Sequence, residues 1–450
     1  MTSTAASTLS AHSDGAVGFR DAAAAENKQA PLHRWVPWIA GYSSSFVADV
    51  FDHYLGDAGD ATVLDPFAGV GTTLVEAELR GWRSVGFEIN AYAALACRSK
   101  LAAADLDPET LEEAIEGYRA QVGEIEERVD AGRLNGYRPL SAAPAGFNTR
   151  IPFYSEKVLK KVLFTLDYAD RLPGDLAALF RLAFASVMVS LSNYTYEPSL
   201  GSRPGAGKPL LDNAPVVDTV AGKLLTMLDD VRWLRAQEGV SHEWVLHERS
   251  IMEALDVMEP ESVDLLLTSP PYLNNYHYVR NTRPQMYWLG FASSPADLRR
   301  LEETNFGKFW QVVREQDAID LDFEMPELTR QLKRLRKLRV EKGIYGGNGW
   351  ANYAATYYND TYRFLDIVAK LLRPGGVAVI VVGNSLLQGI ELKIEQHFGA
   401  IGEMHGLVCE DIHVVREKRV GSSIVNTGAR ENSGKAVRLY DAATVLRKLA

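Results

Sequence analysis

Apolar positions change period several times along the chain, and each change marks an element. Phe46, Val47, Val50 and Phe51 fall on one helical face. Ala61 to Leu64 reads as a short buried strand running into Asp65-Pro66-Phe67-Ala68-Gly69-Val70-Gly71-Thr72-Thr73. Leu74, Val75 and Ala77 then open a helix that ends at Gly81. Arg83 to Phe87 is a second strand, closed by Glu88. Strand, glycine turn, helix and strand have the shape of the first βαβ unit of a doubly wound sheet.

From Pro108 to about Asp130, Leu111, Ile115, Tyr118, Val122, Ile125 and Val129 recur at steps of four and three among glutamates, which predicts a long amphipathic helix. Further helices are predicted over 156–171, 175–192 and 216–236, with a Gly/Pro-rich loop from Tyr194 to Pro209. Strand signals return at Trp244 to Leu246, at Val263 to Leu267 and at Val377 to Val382, the last behind the turn Arg373-Pro374-Gly375-Gly376. No fixed-period repeat is present. The expected fold is α/β, a Rossmann-like, mostly parallel sheet interrupted by a large helical insertion. Its parts are a disordered tail over 1–28, rich in Ala, Ser and Thr, then sheet domain over 29–106, helical insertion over 107–240 and sheet domain again over 241–290. A basic insertion with a mobile loop follows over 291–350, and the sheet domain finishes over 351–450.

Composition narrows the function classes. No run of about 18 apolar residues occurs, so no membrane span is expected. The first 28 residues lack the apolar core of a secretory signal, and a cytoplasmic location is expected. Cys97 and Cys409 form no CxxC pair, which excludes disulfide scaffolds and cysteine zinc sites. His33, His247 and His277 lack metal-ligand spacing and read as structural, so no metal is expected. A net charge of −10 opposes an all-over nucleic-acid binder. Charge is nevertheless uneven. Arg330, Lys333, Arg334, Arg336, Lys337, Arg339 and Lys342 gather around a single acid, Glu341, with Leu332, Leu335 and Leu338 as the apolar side of a helix. Gly343 to Trp350 follows as a mobile loop whose Tyr345 and Trp350 suit a lid.

Two segments carry chemistry. Gly69 and Gly71 let a ligand approach the backbone at the carboxyl end of a strand. A P-loop would need a lysine after Gly71, and a dinucleotide fingerprint a third glycine where Leu74 stands. The acids suit a ligand without phosphates: in S-adenosylmethionine, Asp65 would face the charged methionine end and Glu88 would accept the ribose hydroxyls. The other segment is Asp264-Leu265-Leu266-Leu267-Thr268-Ser269-Pro270-Pro271-Tyr272, a buried strand ending in two prolines that remove amide donors. Ser269 Oγ and the Pro270 carbonyl are acceptors for an exocyclic NH₂, and Tyr272 would stack on the base that bears it.

Asp65 to Thr73 and Ser269-Pro270-Pro271-Tyr272 together resemble the cofactor and catalytic motifs of the DNA amino-methyltransferases. The resemblance implies a methyltransferase that uses S-adenosylmethionine, with Asp65, Phe67, Ala68, Gly69, Gly71, Thr72 and Thr73 around the cofactor, Glu88 and Ile89 at the ribose and Glu248 near the adenine. His33 to Phe46 is similar to the segment that closes over the methionine end. Tyr357 to Leu372, Arg373 to Gly376 and Val381 to Asn384 look like later core segments of the family. A serine opening the catalytic motif favours N4 of cytosine over N6 of adenine. The base must be flipped from the duplex, and Arg203, Lys208, Arg280, Arg330, Lys333, Arg334 and Lys337 are candidate nucleic-acid contacts, as is the stretch Asn274 to Arg280. Target recognition is expected within 107–240 or 291–350. The partner is DNA, alone or with a restriction nuclease or defence system. An RNA base methyltransferase and an inactive DNA-binding subunit of the same fold are the alternatives; intact Asp65, Gly69, Gly71, Glu88, Ser269 and Tyr272 oppose the latter.

Overall fold

A computed structural model describes residues 19–38, 41–134, 136–196, 200–274, 278–418 and 438–450. Seven strands form one sheet among them: β1 (Thr62–Asp65), β2 (Arg83–Phe87), β5 (Trp244–His247), β6 (Val263–Thr268), β7 (Leu372–Gly383), β10 (Leu407–Lys418) and β11 (Leu439–Lys448). Two small hairpins stand apart, β3 (Tyr194–Tyr196) with β4 (Leu200–Ser202), and β8 (Ser385–Leu387) with β9 (Ile390–Leu392). The order across the sheet is β10-β11-β7-β6-β1-β2-β5. Strands β5, β2, β1, β6 and β7 are parallel, whereas β11 is antiparallel to both neighbours. Chain order runs outward from β1 through β2 to β5, then restarts on its other side with β6. The switch point therefore lies between β1 and β6, where open α/β sheets bind ligands beyond the carboxyl ends of their strands.

Strand interiors are continuously apolar because helices cover both faces. Leu64, Leu266 and Ile380 point to one face, against α13 (Gly347–Leu371) and α14 (Ile394–Met404). Val63, Leu265 and Val379 point to the other, against Phe46, Val50 and Phe51 of α1 (Ser44–Tyr54). Helices α2 (Thr72–Glu78) and α3 (Ala91–Leu101) follow β1 and β2 and share a core with the insertion. The insertion comprises α4 (Pro108–Asp130), α5 (Glu156–Ala169), α6 (Gly174–Val187) and α7 (Val216–Arg235). The spacing read in α4 buries Leu111, Ile115, Tyr118, Val122 and Val129. Lys161, fully buried on α5, ties α4 to the entry of α7 through Glu126, Asp130 and Asn213. Within the expected loop from Tyr194 to Pro209, the β3–β4 hairpin forms instead.

Three expectations are corrected. Residues 19–28, assigned to a tail, are seated on the sheet domain: Ala22 donates to the Val415 carbonyl at 3.2 Å, and Arg20 clasps Asp49 of α1. The basic helix, α12 (Pro326–Arg336), ends before Lys342 because Arg339 adopts a left-handed backbone with φ 50°; its buried face is Leu328, Leu332 and Leu335. Gly343 to Trp350 is not a lid, since α13 begins at Gly347. The glycines there serve close packing: a Cβ on Gly347 would lie 1.7 Å from the Leu335 carbonyl oxygen, and one on Gly349 would lie 2.9 Å from Arg314 Cβ. Trp350 stacks on Trp310 of the one-turn helix α11 (Trp310–Val313), with ring centroids 5.1 Å apart.

Candidate active site

The turn after β1 is fixed by buried polar groups. Gly69 and Gly71 have φ of 51° and 85°, and a Cβ on Gly71 would meet Cys97 Sγ at 2.7 Å, so α2 can start only over a glycine. Lys100 Nζ, buried beneath, donates to the Val70 carbonyl at 2.8 Å. Asp65 does not face outward to a methionine end. Its carboxylate is buried and accepts from Thr268 Oγ1 at 2.6 Å, from the Phe67 amide at 3.1 Å and from the Tyr42 hydroxyl at 3.1 Å. Burial raises its pKa against these bonds. Asp65 thus ties the end of β1 to the end of β6, while the Tyr42 hydroxyl also bonds Thr73 Oγ1 and lies 3.3 Å from the Leu267 carbonyl oxygen.

In front of this node lies a cavity of about 330 Å³. Phe67, Gly69, Glu88 and Ile89 line one end, and Trp38, Gly41 and Tyr42 close it from the segment before α1. Ala68, Gly71, Thr72 and Thr73 stand behind the surface and shape the turn. Glu88 accepts the Gly69 amide at 2.9 Å through Oε2 and the Asn90 amide at 2.6 Å through Oε1. Each oxygen keeps a second lone pair for a ligand hydroxyl. Burial pushes the Glu88 carboxyl up to about 7. Glu248 lies elsewhere, exposed and paired with Arg98, and its neighbours Arg249 and Ser250 reach the cavity.

The segment after β6 forms the opposite end. Ser269, Pro271 and Tyr272 line the cavity, and Pro270 is buried behind them. Ser269 Oγ lies 3.4 Å from the Tyr272 hydroxyl. The Tyr272 ring rests on the end of β7: a Cβ on Gly383 would stand 3.1 Å from the ring and 2.8 Å from Asp441 Oδ1. Ser385 Oγ donates to the Leu273 carbonyl just beyond. Asn90 joins the two ends, capping α3 with Oδ1 and donating from Nδ2 to Thr282 Oγ1 at 2.8 Å. The short helices α8 (Tyr278–Asn281) and α9 (Arg283–Trp288) carry this contact, and Tyr196 of β3 donates to the Asn281 carbonyl at 2.7 Å.

Reading the sequence missed the wall supplied by α10 (Pro295–Thr304) and the residues after it. Leu301, Thr304, Asn305 and Phe306 line the cavity, and Phe306 meets Phe67 edge-on at 5.2 Å. Arg416 and Asp441 at the antiparallel edge were missed too. Only Asn90 had a signal, as a helix cap two residues after Glu88. Among the nucleic-acid candidates, Arg280, Arg330, Lys333, Arg334 and Lys337 are exposed. Arg203 instead donates to the Pro209 carbonyl at 2.9 Å, closing its own loop, and Lys208 is half-buried in that loop. Residues 275–277, part of another candidate stretch, lie outside the described residues. His33 pairs with Glu76 at 2.9 Å, and His247 stacks on Phe87. Among the described residues no group of three or more His, Cys, Asp or Glu side chains is arranged to hold a metal, and no helix is long and apolar enough to cross a membrane.

Comparison with known proteins points the same way as the geometry. Residues 55–97, from the end of α1 into α3, match a family model described as DNA methylase. The chain is 22% identical over 434 residues to the type II methyltransferase M.BsoBI of Geobacillus stearothermophilus, covering 88% of this chain and 82% of the relative. It is 22% identical over 434 residues to M.AvaI of Nostoc sp., covering 92% and 87%. The solved rRNA methyltransferase aviRa from Streptomyces viridochromogenes overlays 90% of this chain and 85% of its own at 10% identity and a TM-score of 0.29, so the fold rests on strand order rather than on that overlay. With the family match spanning the β1 turn and the curated relatives aligned over most of their length, the chain is similar to DNA methylases of this family and to type II methyltransferases.

Proposed function

We propose that this chain transfers a methyl group from S-adenosylmethionine to the exocyclic amine of a base in DNA, with N4 of cytosine favoured over N6 of adenine. One observation carries the reading: the glycine turn and the Ser-Pro-Pro-Tyr segment end adjacent strands, β1 and β6, and open into one cavity. That cavity fits the cofactor chemically. Glu88 retains acceptors for two hydroxyls, no lysine is placed for a phosphate in the turn, and Trp38, Tyr42 and Phe67 give aromatic walls. Phe67, Gly69, Glu88 and Ile89 would hold the nucleoside, with Trp38 and Tyr42 closing the remainder. When bound, S-adenosylmethionine supplies a methyl group on a positively charged sulfur, which an amine lone pair can attack.

The protein's own part is orientation. Ser269 Oγ accepts a proton-bearing N–H of the target amine, leaving its lone pair directed into the cavity. Tyr272, braced by Gly383, offers a face on which a flipped base stacks, offsetting the few kcal/mol of unstacking. The Tyr42–Asp65–Thr268 node keeps the two ends in register, with Tyr42 also lining the cavity while Asp65 and Thr268 lie buried behind it. Helix α12 packs its Leu328, Leu332 and Leu335 face on α13 and leaves its basic face exposed, and that face is assigned to the DNA backbone. A partner nuclease belongs to this reading because the curated relatives are named type II methyltransferases. The test is transfer of labelled methyl to unmethylated DNA and to total RNA, followed by nucleoside mass analysis. Label as N4-methylcytosine in DNA supports the whole reading, N6-methyladenine corrects the base, and label confined to RNA overturns the substrate.

A further inference from the structure

The segment that closes the cavity is held by the helical insertion. Leu32 carries a left-handed backbone, φ 63°, which an L side chain rarely adopts, and it is buried. Its amide donates to Asp230 Oδ2 at 2.8 Å. The same oxygen receives Trp35 Nε1 at 2.8 Å and Arg34 Nε at 3.1 Å, and the second guanidinium nitrogen reaches Oδ1 at 2.5 Å. Asp230 lies in α7, and its side chain is 1% exposed. Two turns earlier on the same face of α7, Lys223 Nζ donates to the Arg34 carbonyl at 2.9 Å. On its other side the segment meets α2, through His33 and Glu76. Trp38 then lies over the glycine turn, its Nε1 3.4 Å from where a Cβ on Gly69 would be.

We propose that α7 anchors the cavity-closing segment, with Asp230 and Lys223 acting as positioning residues for the cofactor. The five donors gathered by Asp230 and the Arg34 carbonyl fix a backbone that is strained at Leu32, so releasing them loosens Trp38 at the cavity mouth, while Tyr42 keeps its own bonds to Asp65 and Thr73. This inference rests on the cavity being the S-adenosylmethionine site. It is tested on the full chain by titrating S-adenosylhomocysteine into wild type, Asp230→Asn and Lys223→Met, with hydrogen exchange followed over 31–42. The expected result is cofactor binding weakened about tenfold or more in both variants, faster exchange confined to 31–42, and a rise in KM for the cofactor with kcat within about twofold. Folded variants that bind and exchange like wild type overturn the anchor. Should Asp230→Asn fail to fold, the half-buried Lys223→Met decides alone. Absence of binding by wild type itself removes the cofactor reading, and the anchor with it.

Discussion

The two turns at the switch point are built by opposite means. After β1 the chain uses glycines and is fixed by many buried polar contacts, with Lys100, Tyr42, Glu88 and Asn90 each holding a different atom. After β6 it uses prolines and presents acceptors, with the Tyr272 ring lying on Gly383, Ser385 Oγ holding the Leu273 carbonyl and a long 3.4 Å contact linking Ser269 to Tyr272. The first arrangement suits a ligand that must be gripped in one pose. The second suits a base that must enter, stack and leave. Damage on the β1 side should therefore appear in cofactor affinity and damage on the β6 side in rate.

Gly383→Ala is the sharpest break of that symmetry. Its Cβ would intrude on Tyr272 and Asp441, shifting the stacking face, and kcat is expected to fall about 10²-fold with cofactor affinity unchanged. Steady-state kinetics beside calorimetric titration of the cofactor checks both halves, and an equal loss of affinity would contradict the division. Glu88→Gln is the converse, with cofactor affinity expected to fall roughly 10-fold. In wild type the carboxyl titrates at about 7, raised by burial, and the charged form is the better acceptor. Cofactor binding should strengthen from pH 6 to 8 and weaken as the group protonates, whereas the Gln variant should show a flat profile. The smallest effect is expected away from both turns. Replacing Arg330, Lys333, Arg334 and Lys337 with glutamine should leave cofactor binding intact and lower the slope of log affinity for DNA against log salt by about 0.9 for each phosphate no longer neutralised. An unchanged slope would remove α12 from the DNA surface.

Much of this contrast was legible in the sequence because both turns sit at strand ends, where glycine and proline have few interchangeable roles. The paired motifs, the βαβ unit and the helical period of α4 needed only local rules. Asp65 shows the limit: an acid in a glycine turn is visible, but its direction depends on Thr268, brought alongside by the pairing of β1 with β6, and on Tyr42, brought by the segment before α1. Glu248 was misplaced for the same reason, because Arg98 of α3 draws it outward and leaves Arg249 and Ser250 at the cavity. The glycines from 343 to 349 looked mobile because glycine composition does not distinguish freedom from tight packing, and α13 presses its first turn against the Leu335 carbonyl. Phe306 left no local trace, since its role comes from the ring of Phe67.

The measurement closest to the central claim is single-turnover methyl transfer to unmethylated DNA by wild type and by Ser269→Ala combined with Tyr272→Ala, with S-adenosylhomocysteine affinity determined on the same preparations. The double variant should bind as wild type does and transfer at least about 10²-fold more slowly. Transfer at the wild-type rate would show that the amine is not held at the end of β6.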